Sequence, residues 1–513
     1  MKRISILFAL FILVYALSGQ TLPNSQYYSS VGGEVSDSLF IPVDTSLNRS
    51  HRTLSISGQR IIYWVHGLGG SSDSWHRAAS VTQYGSSLPD YPSRNVLSSR
   101  PSYGQSSDLL GAAMDLDLQM TILNSTPQWD TVPRDRHFVI AHSQGGLVSK
   151  MLDSLYSDSL NFAREFGGMV FFGTPHTGAE ILNNASPQGK DMLVPFARGL
   201  CNAVVNTKIM GEVERIKSSF FSHIIRKTNL VPGISGGVCD FIESTMFAAM
   251  FSDYSRPITT DYWVGANEVN KLNEFESSIP MIEAYGIEES PVFWRTMTSI
   301  LLEDTTSSID PFGFDDDSYL VDSANRTIAR FYSNYQWNKK KADETGRRVL
   351  QSLGITAPFE YFVKKGAYLN TAKAYHDAYL WFVTADQNWE RIIGARKTEL
   401  VKQGYRCMCQ DERIPSYYVV NKVVNSPSEC TNSGNPFLMC FTNDNYVYVT
   451  TVEQSDGVVL RHSAEGLNNP VKTFRMNKTN HIQMRNCSQT KQVLNAVFNG
   501  LGTNNLYFIT PIR

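Results

Sequence analysis

Charge is scarce in this chain. Only 18% of its 513 residues are Asp, Glu, Lys or Arg, where a soluble domain usually carries about a quarter. The net charge is −2, so no basic surplus exists to meet nucleic acid or an anionic membrane surface. Ser, Thr, Asn and Tyr supply the polarity instead. Long apolar runs are scarce too. The run Ile4–Leu17 is shorter than the roughly 20 residues of a bilayer span, and no second run is long enough. No cysteine directly follows it, which removes lipid modification of a new N-terminal cysteine. Metal patterns are thin. Cys407 and Cys409 form a Cys-x-Cys pair with no histidine at ligand spacing nearby, so no structural zinc is expected. No internal repeat is visible.

What is present describes a folded, exported protein. Apolar residues make up 42% of the chain, enough for a substantial core. The length allows two or three domains, or one large domain with insertions. Residues 1–20 read as a secretory signal peptide: Lys2 and Arg3, the apolar run, then Ala16-Leu-Ser18 as a cleavage region. A secreted or periplasmic location follows as an expectation. Residues 21–58 read as a polar, extended arm. Four of the seven cysteines, Cys407, Cys409, Cys430 and Cys440, cluster. In an oxidising compartment they can form two bridges, with the pairing left open.

One stretch organises the rest. His137-Phe-Val-Ile-Ala-His-Ser-Gln-Gly-Gly-Leu147 reads as a buried strand, a tight turn carrying Ser143, and a helix with Leu147, Met151 and Leu155 four apart. A serine on a sharp strand-to-helix turn is raised above the sheet edge. Close passage of neighbouring chain then demands small residues at 141 and 145, and these are Ala141 and Gly145. Upstream, Ile61–Val65 reads as a strand running into His66-Gly-Leu-Gly-Gly70. The backbone N–H groups of Leu68 and Gln144 are candidate donors to an oxyanion.

The elements between alternate. A short strand is expected over 94–98, a helix over 107–123, and a strand over 168–172 leading into Gly173-Thr-Pro-His-Thr-Gly178. From 183 to 257 the alternation stops. Helical spacing there includes Met246, Phe247, Met250 and Phe251, which read equally as an acyl-binding cap or as ordinary packing. A strand over 279–285 resumes the sheet. Residues 290–440 read as a helical, cysteine-containing insertion whose Tyr and Trp residues form its own core. The sheet is expected to return at 446–451 and 471–476, with a last helix over 492–501.

A serine nucleophile needs a base, and the base needs a carboxylate. Three of the ten histidines lie well beyond the turn: His376, His462 and His481. His481 follows the last strand on a loop and is the leading base, with His176 as runner-up. His66 and His142 read as loop supports. Asp456, in Gln454-Ser-Asp-Gly-Val-Val459, leads as the acid. Glu288 and Glu289, after the 279–285 strand, are the alternatives.

With these pieces the chain resembles the secreted serine lipase/esterase branch of the α/β-hydrolase superfamily, which includes bacterial triacylglycerol lipases and PGAP-type inositol-deacylase-like esterases. The matching segments are His66-Gly-Leu-Gly69, Ala141-His-Ser-Gln-Gly145, Gly173–Gly178, Ser455–Val459 and Asn480-His481. The resemblance covers roughly 60–290 and 440–500. It implies an α/β fold with a mostly parallel central sheet, a helical cap and a large helical insertion, the core being split into 59–289 and 441–513. It implies Ser143, Asp456 and His481 as a catalytic triad, Leu68 and Gln144 as the oxyanion hole, and an ester or lipid substrate with transient contact to a lipid surface. No cofactor or metal is implied. Ile482-Gln-Met-Arg-Asn486 after His481 lacks a carboxylate, so the calcium site of some such lipases is not carried over. Acyl transfer to another alcohol uses the same residues, and a non-catalytic binding protein on this fold is the competing class.

Overall fold

The computed structural model describes residues 60–75, 78–79, 96–105, 107–127, 129–158, 162–184, 256–302, 312–314, 322–351, 359–431, 434 and 436–499. The expected signal segment 1–20, the arm 21–58 and Met246, Phe247, Met250 and Phe251 of the cap lie outside these residues.

Among the described residues the strands are β1 (Arg60–Val65), β2 (Val96–Ser99), β3 (Phe138–His142), β4 (Met169–Phe172), β5 (Met281–Ile287), β6 (Arg396–Asp411), β7 (Ile414–Val424), β8 (Leu438–Val452) and β9 (Lys472–Asn477). Six of them form one sheet in the order β2-β1-β3-β4-β5-β9. Every neighbouring pair in it is parallel. The α-helices of eight residues or more are α1 (Leu109–Asn124), α2 (Gln144–Asp158), α3 (Asn267–Glu274), α4 (Val292–Leu302), α5 (Asp322–Gln351), α6 (Phe359–Ile392) and α7 (Ser488–Asn499).

The sequence explains why the sheet is parallel and central. β3, β4 and β5 are buried at every position, so they read as mainly apolar runs without alternation, broken by the buried polar residues His142 and Glu283, as parallel strands covered on both faces do. Trp64, Phe138, Ile140, Val170, Phe172 and Ile282 from the sheet pack with Val493, Leu494 and Val497 of α7. Full burial of one such aliphatic side chain contributes roughly 1.5–3 kcal/mol. Leu147, Val148, Met151 and Leu152 of α2 are buried as well. Asp108 caps α1, its side chain accepting the Gly111 N–H at 2.7 Å. The strand order and the strand–serine–helix junction at β3 are those of the α/β-hydrolase fold.

Parallel strands in one sheet share a carboxyl edge, and ligands bind there in open α/β sheets. The loops carrying His66, Ser143, Gly173, Glu288 and His481 directly follow β1, β3, β4, β5 and β9. The topology therefore gathers them at that edge.

Two expectations need correction. Tyr446–Thr451 is not a strand of the main sheet. It lies within β8, which joins β7 and β6 in a separate three-stranded antiparallel sheet. The insertion is also not helical throughout. α4, α5 and α6 carry it to Ile392, and Gly394–Glu453 then forms a compact unit of its own. Its strands are long, 16 residues in β6 and 15 in β8, and largely exposed. Charged and apolar residues therefore mix along them without the simple alternation of a half-buried strand. The four cysteines staple this unit through Cys407–Cys430 and Cys409–Cys440. The aromatics of α5 and α6 pack on one another: Tyr332 on Tyr379, Tyr335 on His376, and Phe331 on Phe382, with ring centroids 5.0, 4.6 and 5.5 Å apart.

Candidate active site

Ser143 has φ +55°, a left-handed conformation rare for a side-chain-bearing residue and a mark of local strain. Its N–H donates to the Phe172 carbonyl at 2.9 Å and its carbonyl accepts from Gly146 at 3.0 Å. The turn is tight because other chain crosses it. A Cβ on Gly145 would stand 2.3 Å from the His66 carbonyl oxygen, and one on Gly146 would stand 2.0 Å from Thr174 Oγ1. The need for a small residue thus extends to Gly146, which sequence reasoning did not single out. Gly67 is also close, with a Cβ there 2.8 Å from Cβ of Ser143.

His481 and Asp456 meet. His481 Nδ1 and Asp456 Oδ2 are 2.7 Å apart, with both side chains buried. The other carboxylate oxygen of Asp456 accepts the N–H groups of Val458 and Val459 at 3.0 and 2.7 Å. The two loops are also tied through backbone, His481 N–H to the Asp456 carbonyl at 2.8 Å. They rest on glycines: a Cβ on Gly173 would be 3.0 Å from Asp456 Oδ2 and 3.1 Å from His481 Nδ1. Among the described residues, no hydrogen bond links the Ser143 hydroxyl to the His481 ring. Hydrogen bonds of this kind are often long without substrate and tighten in the reacting complex.

The neighbouring histidines hold loops. His142 Nε2 is 2.8 Å from the His481 carbonyl oxygen. Only an N–H can donate to a carbonyl, so this contact puts the proton on Nε2. Burial drives the His142 pKa well below the usual value, with His481 nearby adding to the effect. His66 stacks on Tyr103 with centroids 4.4 Å apart. Burial lowers its pKa to about 4, against a raising contact with the Gly67 carbonyl. Both rings are neutral at pH 7.

The alternatives take other places. His176 pairs with Glu283, Nε2 to Oε1 3.7 Å, and burial keeps it neutral, helped by nearby Lys150. Glu289 is half-exposed, 3.5 Å from Lys478. Glu288 is buried against Arg295 and Asn480. His376 lies on α6 against Tyr335.

Among the described residues, the N–H groups of Leu68 and Gln144 have no hydrogen-bond acceptor. Their surroundings are braced by residues that sequence reasoning missed. Tyr103 hydroxyl reaches the His66 carbonyl at 2.7 Å and Gln144 Oε1 at 3.1 Å. Gln105 Nε2 donates to the Gly67 carbonyl at 2.9 Å, while its Oε1 accepts from Gly69 N–H and from Arg256. Tyr262 hydroxyl takes the Gln144 amide at 3.1 Å. Tyr103 and Gln105 follow β2 at the sheet's carboxyl edge. That position was the available signal.

No family model and no curated protein matches the chain. Solved structures do. Phospholipase PlaB from Legionella pneumophila matches at 14% identity and TM-score 0.26, over 46% of this chain and 41% of its own. A Bacillus licheniformis lipase in its mature form matches at 12% identity and TM-score 0.26, over 48% of this chain and 74% of its own. A peroxisomal α/β-hydrolase from Saccharomyces cerevisiae matches at 14% identity and TM-score 0.24, over 46% and 65%. This chain spans 41% of the length of the phospholipase it matches.

Proposed function

We propose that the chain is a serine hydrolase of carboxylic esters, with lipid esters as its substrate class. The observation that carries this reading is the 2.7 Å contact of His481 Nδ1 with Asp456 Oδ2, made at the sheet edge where the strained turn presents Ser143. A carboxylate on Nδ1 leaves Nε2 as the basic nitrogen. In the proposed reaction Ser143 Oγ attacks the ester carbonyl carbon and His481 Nε2 takes its proton. The carbonyl oxygen gains negative charge beside the N–H groups of Leu68 and Gln144. Loss of one such donor typically costs about 2.7–4 kcal/mol of barrier. His481 then protonates the leaving alcohol, and water repeats the sequence on the acyl-enzyme to release the acid.

The reading extends to a secreted lipase/esterase of the bacterial triacylglycerol lipase or PGAP-like type. The two disulfides support an oxidising compartment, since such bonds are rare where thiols are kept reduced. The preference for lipid rests on the apolar cap sequence. Polar substitution of Met246, Phe247, Met250 and Phe251 is expected to lower turnover of long-chain esters more than of acetate esters. Each methylene buried in a pocket contributes roughly 0.8 kcal/mol. A panel of p-nitrophenyl esters of increasing chain length tests this, and equal losses on all lengths would leave those residues as packing only.

A further inference from the structure

The end of β5 carries a buried carboxylate that the ester chemistry does not use. Glu288 Oε1 accepts Arg295 Nε at 2.7 Å and the Glu289 N–H at 2.8 Å. Its Oε2 accepts Asn480 Nδ2 at 2.8 Å. Asn480 immediately precedes His481, and its amide is used on both sides. Nδ2 also donates to Ser299 Oγ at 2.9 Å, and Oδ1 accepts the N–H groups of Ile482 and Gln483 at 3.2 and 3.1 Å. The Asn480 side chain therefore wraps the turn on which His481 sits. The Glu288 backbone reaches the other loop, its N–H donating to the carbonyl of Ser455, the neighbour of Asp456, at 2.8 Å. Adjacent Ile287 accepts the Thr479 N–H at 3.2 Å.

We infer that Glu288 is a positioning residue that sets the spacing of Asp456 and His481 by holding the residue before each of them. The inference rests on the triad reading above. It gives the buried Glu288–Arg295 pair a task beyond packing: Arg295 and the Glu289 N–H fix which oxygen faces which way, so the other oxygen must meet an N–H from Asn480. That in turn leaves Asn480 Oδ1 for the turn after His481. The polarity of a single hydrogen bond thereby propagates to the placement of the imidazole.

This polarity can be inverted. In Glu288→Gln the amide oxygen is held by the same two donors, so its NH₂ confronts the NH₂ of Asn480. Asn480 must turn over and release Ile482 and Gln483. In Asn480→Asp two carboxylates face each other. In the double variant Glu288→Gln/Asn480→Asp the amide donates to the new carboxylate, whose other oxygen still serves the turn, and the summed charge is unchanged. Ser299 can rotate its hydroxyl to donate.

The test is kcat and KM on a soluble ester, with thermal unfolding followed beside it. Each single variant is expected to lose about 10²-fold in kcat, the scale of an ångström's misplacement, with KM within about threefold. The double variant is expected to recover to within about tenfold of wild type. Single variants that lose unfolding midpoint but not kcat, or a double variant no better than the worse single, would overturn the inference. If Glu288→Gln does not fold, Ser299→Ala removes only one of the partners of Asn480. It should lose kcat several-fold, with the midpoint lowered because one buried Asn480 N–H loses its acceptor, and an unchanged kcat overturns the inference. Wild type and Ser143→Ala run in the same assay. Inactive wild type removes the hydrolase reading and this inference with it, whereas active wild type with equally active Glu288→Gln removes the inference alone.

Discussion

Asp456→Asn is the substitution whose outcome the geometry fixes most tightly. An asparagine in this place could in principle turn its oxygen or its NH₂ toward His481. The surroundings decide. Oδ1 of Asp456 accepts two backbone N–H groups, from Val458 at 3.0 Å and Val459 at 2.7 Å. An NH₂ there would face two donors at hydrogen-bond distance and leave both unsatisfied, at about 1–3 kcal/mol for each buried group. The amide oxygen must therefore stay on that side, and the NH₂ must point at His481 Nδ1, 2.7 Å away in the present contact. A donor at Nδ1 forces the imidazole proton onto Nε2. A ring protonated at Nε2 cannot take the serine proton. The stabilising charge on the imidazolium is lost as well. The expected loss is on the order of 10⁴-fold in kcat at neutral pH, about 5.4 kcal/mol at 1.36 kcal/mol per tenfold. The assay is initial-rate hydrolysis of a p-nitrophenyl ester, with circular dichroism to show that the fold is retained. A folded Asp456→Asn within about tenfold of wild type would refute the reasoning, because no tautomer argument survives so small a loss.

Two further outcomes follow from packing and burial. Gly145→Ala places a Cβ 2.3 Å from the backbone oxygen of His66. The loop must shift, so destabilisation of about 1–3 kcal/mol or more is expected from chemical denaturation, and unchanged stability would contradict the described crossing. Glu283 on β5 is buried, and burial raises its pKa from 4.5 to about 7. Between those values the folded protein keeps a proton that the unfolded chain has released. This contribution therefore lowers stability as pH rises from 4.5 to 7, by about 3 kcal/mol in full. Glu283→Gln removes the titration, so the stability of the variant relative to wild type should climb with pH through that window. Parallel pH curves for the two proteins would contradict it.

The turn at Ser143 was legible because a strand-to-helix elbow restricts which residues can stand there, and Ala141, Ser143 and Gly145 satisfy the restriction within five positions. The strand that became β5 was legible in kind but displaced by two residues, since Ile279 and Pro280 are as compatible with an apolar run as Gly286 and Ile287. Choosing between Asp456 and Glu288 depended on contacts invisible to local pattern. Both carboxylates lie next to strand-like segments, and only packing sends Glu288 to Arg295 and Asp456 to His481. Tyr103, Gln105 and Tyr262 escaped notice for the same reason: their partners stand 37, 38 and 118 positions away. The small sheet of β6, β7 and β8 was hard to read because its buried face is short, confined among the described residues to Cys407, Cys409 and Asp411 on β6 and Val424 on β7, while most positions of its long strands are exposed. Its stability leans on two disulfides whose pairing spacing alone could not give.

Covalent labelling tests the central claim most directly. The intact protein is treated with a fluorophosphonate, which phosphonylates a serine only when a neighbouring base activates it, and the adduct is located by peptide mass mapping. The account predicts one adduct, on Ser143, absent in Ser143→Ala and strongly slowed in His481→Ala. An unlabelled wild-type protein, or a label on any other residue that persists in Ser143→Ala, would contradict it.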